Sequence, residues 1–341
     1  MSGQTYSNSS QFYGNQLSDV LRLAVEPLTK FRQVADSQIS AGRHRGNTMT
    51  WSIMGDITSP GGALNESTNM PVGSLTVAQG TLTVSEFGQA VNWSRFLEDL
   101  SKFSIEDALG VALTNDCAKT LDRQVWNQFK QTQLQIAAVG GTSNSAIQLT
   151  SGATTTNATN NVAMTLAHVR AVSNLMKSRN IPAYRGQDYY CIARPSTFES
   201  LQSPTSSNNY TNTSGDNLQG VHQYTATGLR YIMEGEIGRY RNVRFIEQTN
   251  IGAGIGATGL DPTFYPTFSD MVPWTNGQSD WAFFFGEDTV IEGIVVPEQL
   301  ISDLPHDFFR SKYLGWYYTG GYAITQFQAT NSRVLWWNSA A

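Results

Sequence analysis

The chain is 341 residues long, carries a net charge of −5 and contains only 14% charged residues, against roughly 25% in an ordinary soluble protein. That length supplies one large or two modest domains with ample core. The acidic balance excludes a dedicated nucleic-acid binder, which needs a basic face.

Ser, Thr, Asn, Gln and Gly fill the charge deficit, and a neutral polar surface loses little desolvation energy when a neighbour covers it. Of the 22 basic residues 16 are Arg and 6 are Lys, the bias found in buried interface positions. Cys117 and Cys191 lie far apart in apolar-patterned segments, which predicts buried free thiols and neither a disulfide nor a metal site. The N-terminus has no charged region followed by an apolar core, and apolar runs such as 281–285 are too short to cross a bilayer. The expectation is a soluble chain made in the cytosol, without a signal peptide.

Residues 1–50 read as an arm. The first ten are polar, and Leu17, Val20, Leu21, Ala24, Val25 and Leu28 then recur at helical spacing. A basic cluster, Arg43-His44-Arg45, precedes a strand-like Thr48–Ile53. Residues 51–85 are punctuated by glycine, proline and asparagine, which forbids a helix. Leu75-Thr-Val77 and Leu82-Thr-Val84 alternate as a two-stranded ribbon would, and no Lys or Arg occurs from Trp51 to Val91. Such a hairpin cannot bury its own apolar face and needs something to lie on.

Ser104-Ile-Glu-Asp107 is a capping box for a long helix. Leu109, Ala112, Leu113, Cys117, Leu121, Val125 and Phe129 carry its stripe, and about seven turns give a spine near 40 Å long. The tract 138–161, poor in apolar residues, reads as a loop or extended insertion. A second amphipathic helix is expected from Leu166 to about Asn180, a buried strand at Tyr189–Ala193, and a helix opening at Pro195. Residues 203–217 read as another neutral loop.

In the stretch Tyr231–Asn250, Gly235 and Gly238 interrupt a helix-like run and Val243–Ile246 follows at once. This predicts a short helix or turn ending at the glycines, then a strand. Arg239, Arg241 and Arg244 crowd that junction, which suits an interface built on bidentate hydrogen bonds. The glycine-rich 251–259 lacks the helix that a dinucleotide site requires. Asp280–Ile294 reads as strand, turn, strand, and the aromatic segments near 313–327 and 333–337 as sheet strands.

No catalytic, cofactor or metal site is expected. His44, His168, His222 and His306 have no ligand spacing. The pairs Glu98/Asp99, Glu106/Asp107 and Glu287/Asp288 are adjacent residues, which face different ways and read as caps or solvated faces. No nucleophile elbow or phosphate loop is present.

The stretch from Gly235 to Thr249 resembles a segment of tailed-bacteriophage major capsid proteins. Other short motifs share that likeness: Ala63-Leu-Asn-Glu66 with Met70-Pro71, Val84-Ser-Glu-Phe-Gly88, Phe96-Leu-Glu-Asp-Leu100, Cys191-Ile-Ala-Arg-Pro195, Phe284-Phe-Gly286, and Lys312-Tyr-Leu-Gly-Trp316 ahead of Tyr322-Ala-Ile324. Over about residues 50–330 their order resembles the Hong-Kong-97-like capsid fold, and more narrowly the N-four-type podovirus coat proteins. The tracts 138–161 and 203–217 depart from it.

The resemblance implies an α+β chain. Its parts would be an N-terminal arm (1–50), an extended β-hairpin loop (51–85), a peripheral domain with the spine helix (86–159), an axial domain (160–299) and a return to the peripheral domain (300–341). It implies a non-enzymatic coat protein without cofactors that self-assembles as hexamers and pentamers into an icosahedral shell around double-stranded DNA. The shell would be made in the host bacterial cytoplasm and would reside in the virion. Implied partners are a separate scaffolding protein, a portal protein and a decoration or cement protein, with packaged DNA bound without sequence specificity and no membrane. Inter-subunit contacts would involve Asn65, Glu66, Met70, Pro71, Arg239, Arg241 and Arg244. The extended loop has no lysine, so no lysine cross-link is expected there. An encapsulin-type compartment shell and a secreted β-rich adhesin are the alternatives.

Overall fold

The computed structural model describes residues 29–38, 46–57, 62–64, 66–67, 69–70, 72–138, 147–151, 164–184, 188–202, 236–251, 280–308, 310–326 and 331–339. The expected arm helix from Leu17, the loop 203–217 and the glycine-rich 252–259 lie outside them. The strands are β1 (Asp36–Gln38), β2 (Thr48–Ile57), β3 (Leu75–Thr83), β4 (Ser85–Ser94), β5 (Leu134–Ala138), β6 (Ile147–Ser151), β7 (Tyr189–Ala193), β8 (Glu236–Tyr240), β9 (Val243–Glu247), β10 (Asp280–Phe285), β11 (Val290–His306), β12 (Ser311–Ile324) and β13 (Val334–Ser339). The helices are α1 (Arg95–Leu100), α2 (Ile105–Phe129), α3 (Leu166–Ser178) and α4 (Pro195–Gln202).

The spine helix α2 begins where the capping pattern places it. Ser104 Oγ accepts the Asp107 N–H at 3.4 Å, and Glu106 and Asp107 in the first turn complement the helix dipole. Leu113, Cys117, Leu121, Val125 and Phe129 are buried at four-residue steps. They share one core with a four-stranded sheet of order β1-β11-β12-β4, in which Leu314, Trp316 and Tyr318 alternate inward along β12. Trp316 Nε1 donates to Asp116 Oδ2 at 2.9 Å, fixing sheet to helix by a polar contact as well.

A seven-stranded sheet, order β6-β5-β13-β10-β7-β9-β8, also packs on the spine, where Trp126 meets Trp281 and Phe129 meets Phe283 and Phe285 of β10. Its central strands β7 and β10 are buried on both faces, which is why they read as unbroken apolar runs. Alternate residues divide between two cores. Tyr190, Ile192, Phe283, Phe285 and Trp336 join the spine-helix core, while Cys191, Phe284, Leu335 and Trp337 join a second core with Val169, Val172 and Met176 of α3 and Phe198 of α4.

Four sequence expectations change here. Leu75 to Thr83 is one strand, not two, and its partner is β2, running antiparallel. Gly80 does not turn the chain. It faces Trp51, whose indole would lie 2.2 Å from a Cβ at that position, so the glycine makes room for a cross-strand ring. The tract 138–161 contains strand β6, paired with β5. Residues 236–240 form a strand, not a helix, and the turn falls at Arg241 and Asn242, whose φ values of 48° and 67° give a tight two-residue hairpin. The pairing also cuts across the expected spans: β5, β6 and β13 join the seven-stranded sheet with residues of 160–299, while β11 begins the four-stranded sheet at Val290.

Candidate self-association surface

The β2–β3 ribbon is held at its base and bare beyond it. At the base Leu82 is 1% exposed and fits against Gly293 and Gly321, where an added Cβ would approach its methyl groups to 3.2 and 2.8 Å. Further out Met54 is 75% exposed and Val77, its cross-strand partner, 61%. Leu64, Met70, Val72 and Leu75 are also exposed. Met54 and Val77, and Ile57 and Leu75, are paired across the two strands, so these exposed apolar side chains form a strip, a texture that marks an interaction surface.

Of the loop residues singled out by sequence, Glu66 and Met70 are exposed at this end of the ribbon, while Asn65 and Pro71 lie outside the described residues. Sequence reasoning missed Met54, Val72 and Val77. Apolar residues at alternate positions in a stretch without Lys or Arg were the available signal.

The three arginines separate. Arg239 and Arg244 are directly opposed across the β8–β9 hairpin, a pairing that would repel. Asp188 neutralises it: Arg239 Nε and Arg244 Nε donate to its two oxygens at 2.9 and 2.8 Å. Arg244 Nη1 also donates to Glu236 Oε1 at 3.0 Å. Two guanidinium groups and two carboxylates thus form a neutral cluster, and the Arg244 side chain within it is 7% exposed. Arg241 is exposed at the turn. Its carbonyl accepts from Ser173 Oγ on α3 at 2.8 Å, which pins the hairpin against that helix.

A second polar cluster lies under the spine. Asp122 is 1% exposed and accepts the Arg32 N–H at 3.1 Å, the Asn250 amide at 3.3 Å and the Gln248 amide at closer range. Burial pushes its carboxyl up to about 6 against those stabilising hydrogen bonds.

Elsewhere the carboxylates act as caps or pair partners. Glu98 accepts from Lys312 Nζ at 2.8 Å and Trp93 Nε1 at 3.2 Å, and Asp288 from Arg333 at 2.6 Å. His168 Nδ1 accepts the Thr165 N–H at 3.1 Å and so caps α3. Cys117 and Cys191 are buried free thiols, and burial raises both thiol pKa values, that of Cys117 to about 11. Among the described residues no group of His, Cys, Asp and Glu could hold a metal ion, and no helix is long and apolar enough to cross a membrane.

No protein-family model matches the chain, and no curated protein matches its sequence. Solved structures do. The capsid of Ralstonia phage GP4 is similar with a TM-score of 0.68 at 11% identity, covering 96% of this chain and 95% of that one. The capsid of cyanophage P-SCSP1u gives 0.62 at 13% identity, over 96% and 92%. The cyanophage Pam1 capsid gives 0.61 at 14% identity, over 98% of each. Spine helix, ribbon and two sheets, matched over nearly the whole length of these structures, give this chain the Hong-Kong-97-like fold of phage capsid proteins.

Proposed function

We propose that this chain is a major capsid protein that self-assembles into the icosahedral shell of a tailed bacteriophage around its double-stranded DNA. The apolar strip of the β2–β3 ribbon carries this reading, because it is exposed on a chain whose fold is that of capsid subunits. In hexamers and pentamers the ribbon lies across a neighbouring subunit. Small contacts repeated over every copy then hold the shell even where each is weak.

Asn65, Glu66, Met70 and Pro71 take part in that contact, and Arg241 and Arg239 contribute at the hairpin turn. Arg244, already spent on Asp188 and Glu236, acts inside the subunit by shaping the hairpin. The parts of the chain are the arm (1–50), extended loop (51–85), peripheral (86–159 and 300–341) and axial (160–299) units, with β5, β6 and β13 lending their pairing to the axial sheet. The narrower likeness to N-four-type coat proteins rests on the sequence motifs. Assembly uses a separate scaffolding protein, a portal and a decoration or cement protein. The subunits are made in the host bacterial cytoplasm and end in the virion capsid. No residue is assigned a catalytic role.

Electron microscopy of particles from cells expressing the chain with its scaffold tests this reading. Closed shells are expected, and the double substitution Met54→Ser, Val77→Ser should leave a folded subunit that no longer assembles. Full particle yield from that variant would overturn the ribbon's role. Shells filled with an enzyme in place of nucleic acid would indicate a compartment of the encapsulin type. Uniform shells from the chain alone would remove the need for a scaffold.

A further inference from the structure

Of the nine residues of β3, Leu82 alone is buried. Its side chain belongs to neither of the two cores. It sits over a cross-strand pair of glycines, Gly293 of β11 and Gly321 of β12. A Cβ added at Gly293 would come within 3.2 Å of Leu82 Cδ2 and 3.3 Å of Met49 Sδ, and one at Gly321 would collide with the Thr83 carbonyl oxygen. Glycine inside a strand weakens it and marks a close approach by another part of the chain. Leu82 and Met49, directly opposed across the ribbon, are the plug, and the glycine pair is its socket.

The rest of the ribbon has little footing. Among the described residues β2 and β3 pair only with each other, and from Leu75 to Gln79 every residue of β3 is exposed. Beyond Leu82 the ribbon stands over a cleft of about 460 Å³, with Trp51, Ile53 and Ala78 on the ribbon side and Gln128, Gln131 and Ile324 on the other. No described residue of the lining is charged, so no ion pair spans the cleft. Both connections at the base are narrow. Gly46, two residues before β2, has φ 86° and open space where a side chain would stand. Val84 is the single residue between β3, which pairs with β2, and β4, which pairs with β12 from Ser85 onward. Its N–H donates to the Asn47 carbonyl at 2.8 Å and closes the ribbon.

We infer that Leu82 in its glycine socket is the stop that sets the angle between the ribbon and the body of the subunit. With the plug withdrawn, the ribbon swings over the cleft about Gly46 and Val84, two element-terminal positions that absorb the backbone change. Withdrawal exposes Leu82 and Met49 and opens neither core, so the body keeps its structure in both positions. The swing re-aims Met54 and Val77, and the socket therefore governs the direction in which the apolar strip is presented. The inference rests on contacts within one chain and does not depend on the coat-protein reading.

Pulsed electron spin resonance on the full-length chain tests this. Spin labels at Thr76→Cys in the ribbon and Ala118→Cys on the exposed side of the spine helix report the angle, since Cys117 and Cys191 are buried. Dilution into unlabelled chain restricts the reading to distances within one subunit. A single narrow distance distribution is expected without further substitution. Leu82→Ala should broaden it, and Gly321→Ala, whose methyl group displaces Thr83, should shift its mean. A distribution in Leu82→Ala as narrow as that of the unsubstituted chain would overturn the inference. So would faster amide exchange of Leu82→Ala throughout the spine helix, β7 and β10, which would make Leu82 a support of the body. If Gly321→Ala fails to fold, Leu82→Ala decides alone.

Discussion

From Trp281 to Phe285 every side chain of β10 is buried, whereas in the ribbon Met54, Ile57, Val77 and Leu75 are 75%, 58%, 61% and 50% exposed. Both regions are strands of large apolar residues. They differ in what covers them. β10 lies between two cores and meets edge-to-face aromatic partners on its spine side, such as Phe129 and Phe285 at 5.0 Å. The ribbon has two strands and a glycine-lined footing at Gly321, so its apolar groups have no layer of their own. Burying one such side chain is worth about 1.5–3 kcal/mol. The sheet realises that gain within the chain, and the ribbon does not. The polar clusters follow the same division, since Asp188, Arg244 and Glu236 close their charge inside the subunit while Arg241 stays at the surface.

Substitutions that break the internal side of this comparison should cost most. Phe283→Ala opens a cavity beneath Phe31, Phe129 and Trp336 and should lose about 3–5 kcal/mol of stability, read as a lowered denaturation midpoint. Arg244→Met removes the guanidinium that Glu236 shares with Asp188 and leaves Asp188 to Arg239, and should cost roughly 3–5 kcal/mol. Equal midpoints for Arg244→Met and wild type would show that the cluster contributes no net stability. Asp122→Asn places an amide N–H against the Gln248 or Asn250 donors, which cannot all be reoriented while Gln248 still accepts from Lys30. A loss of about 1–3 kcal/mol is expected at neutral pH.

Acid should sharpen the contrast. Glu298 and Glu98 are held below the ordinary glutamate value of 4.5, chiefly by hydrogen bonds from Arg32 and Lys312. Their contribution is complete above that value and disappears as pH falls through their lower folded values. Asp122 runs the opposite way. Burial lifts it from 3.8 to about 6, so its contribution is complete below 3.8 and is lost as pH rises through 6. Asp122→Asn should therefore flatten the stability profile between pH 4 and 6, measured by chemical denaturation. A profile identical to wild type would remove Asp122 from the account.

On the external side the effects on folding should be near zero. Arg241→Glu at the exposed turn should change subunit stability by less than about 0.5 kcal/mol while lowering particle yield. Unchanged yield would remove Arg241 from the contact surface.

Much of the fold was legible in the order of the residues. The Ser104 cap and the four-residue apolar steps marked α2, Pro195 marked the start of α4, and unbroken apolar runs marked β7 and β10. These signals depend on local backbone preference and on burial so complete that it leaves a pattern. The ribbon was legible as something unable to pack on itself, but its pairing was not. Leu75–Val77 and Leu82–Val84 read as two strands because a glycine between them that admits the cross-strand Trp51 ring, Gly80, has the same sequence signature as one that interrupts a strand. The hairpin at Arg241 and Asn242 was missed because neighbouring glycines at 235 and 238 gave a stronger local turn signal than a pair held at positive φ by contacts to α3.

Composition and periodicity alone thus determined the spine helix, the buried strands and the buried thiols, because each follows from interactions a few residues apart. The pairing of β1 with β11, the sharing of Asp188 between Arg239 and Arg244, and the grip of Arg32 on Glu298 depend on residues 51 to 266 positions distant. Tertiary structure decided these, because a carboxylate far along the chain becomes a partner only once the sheets have brought it within hydrogen-bond range.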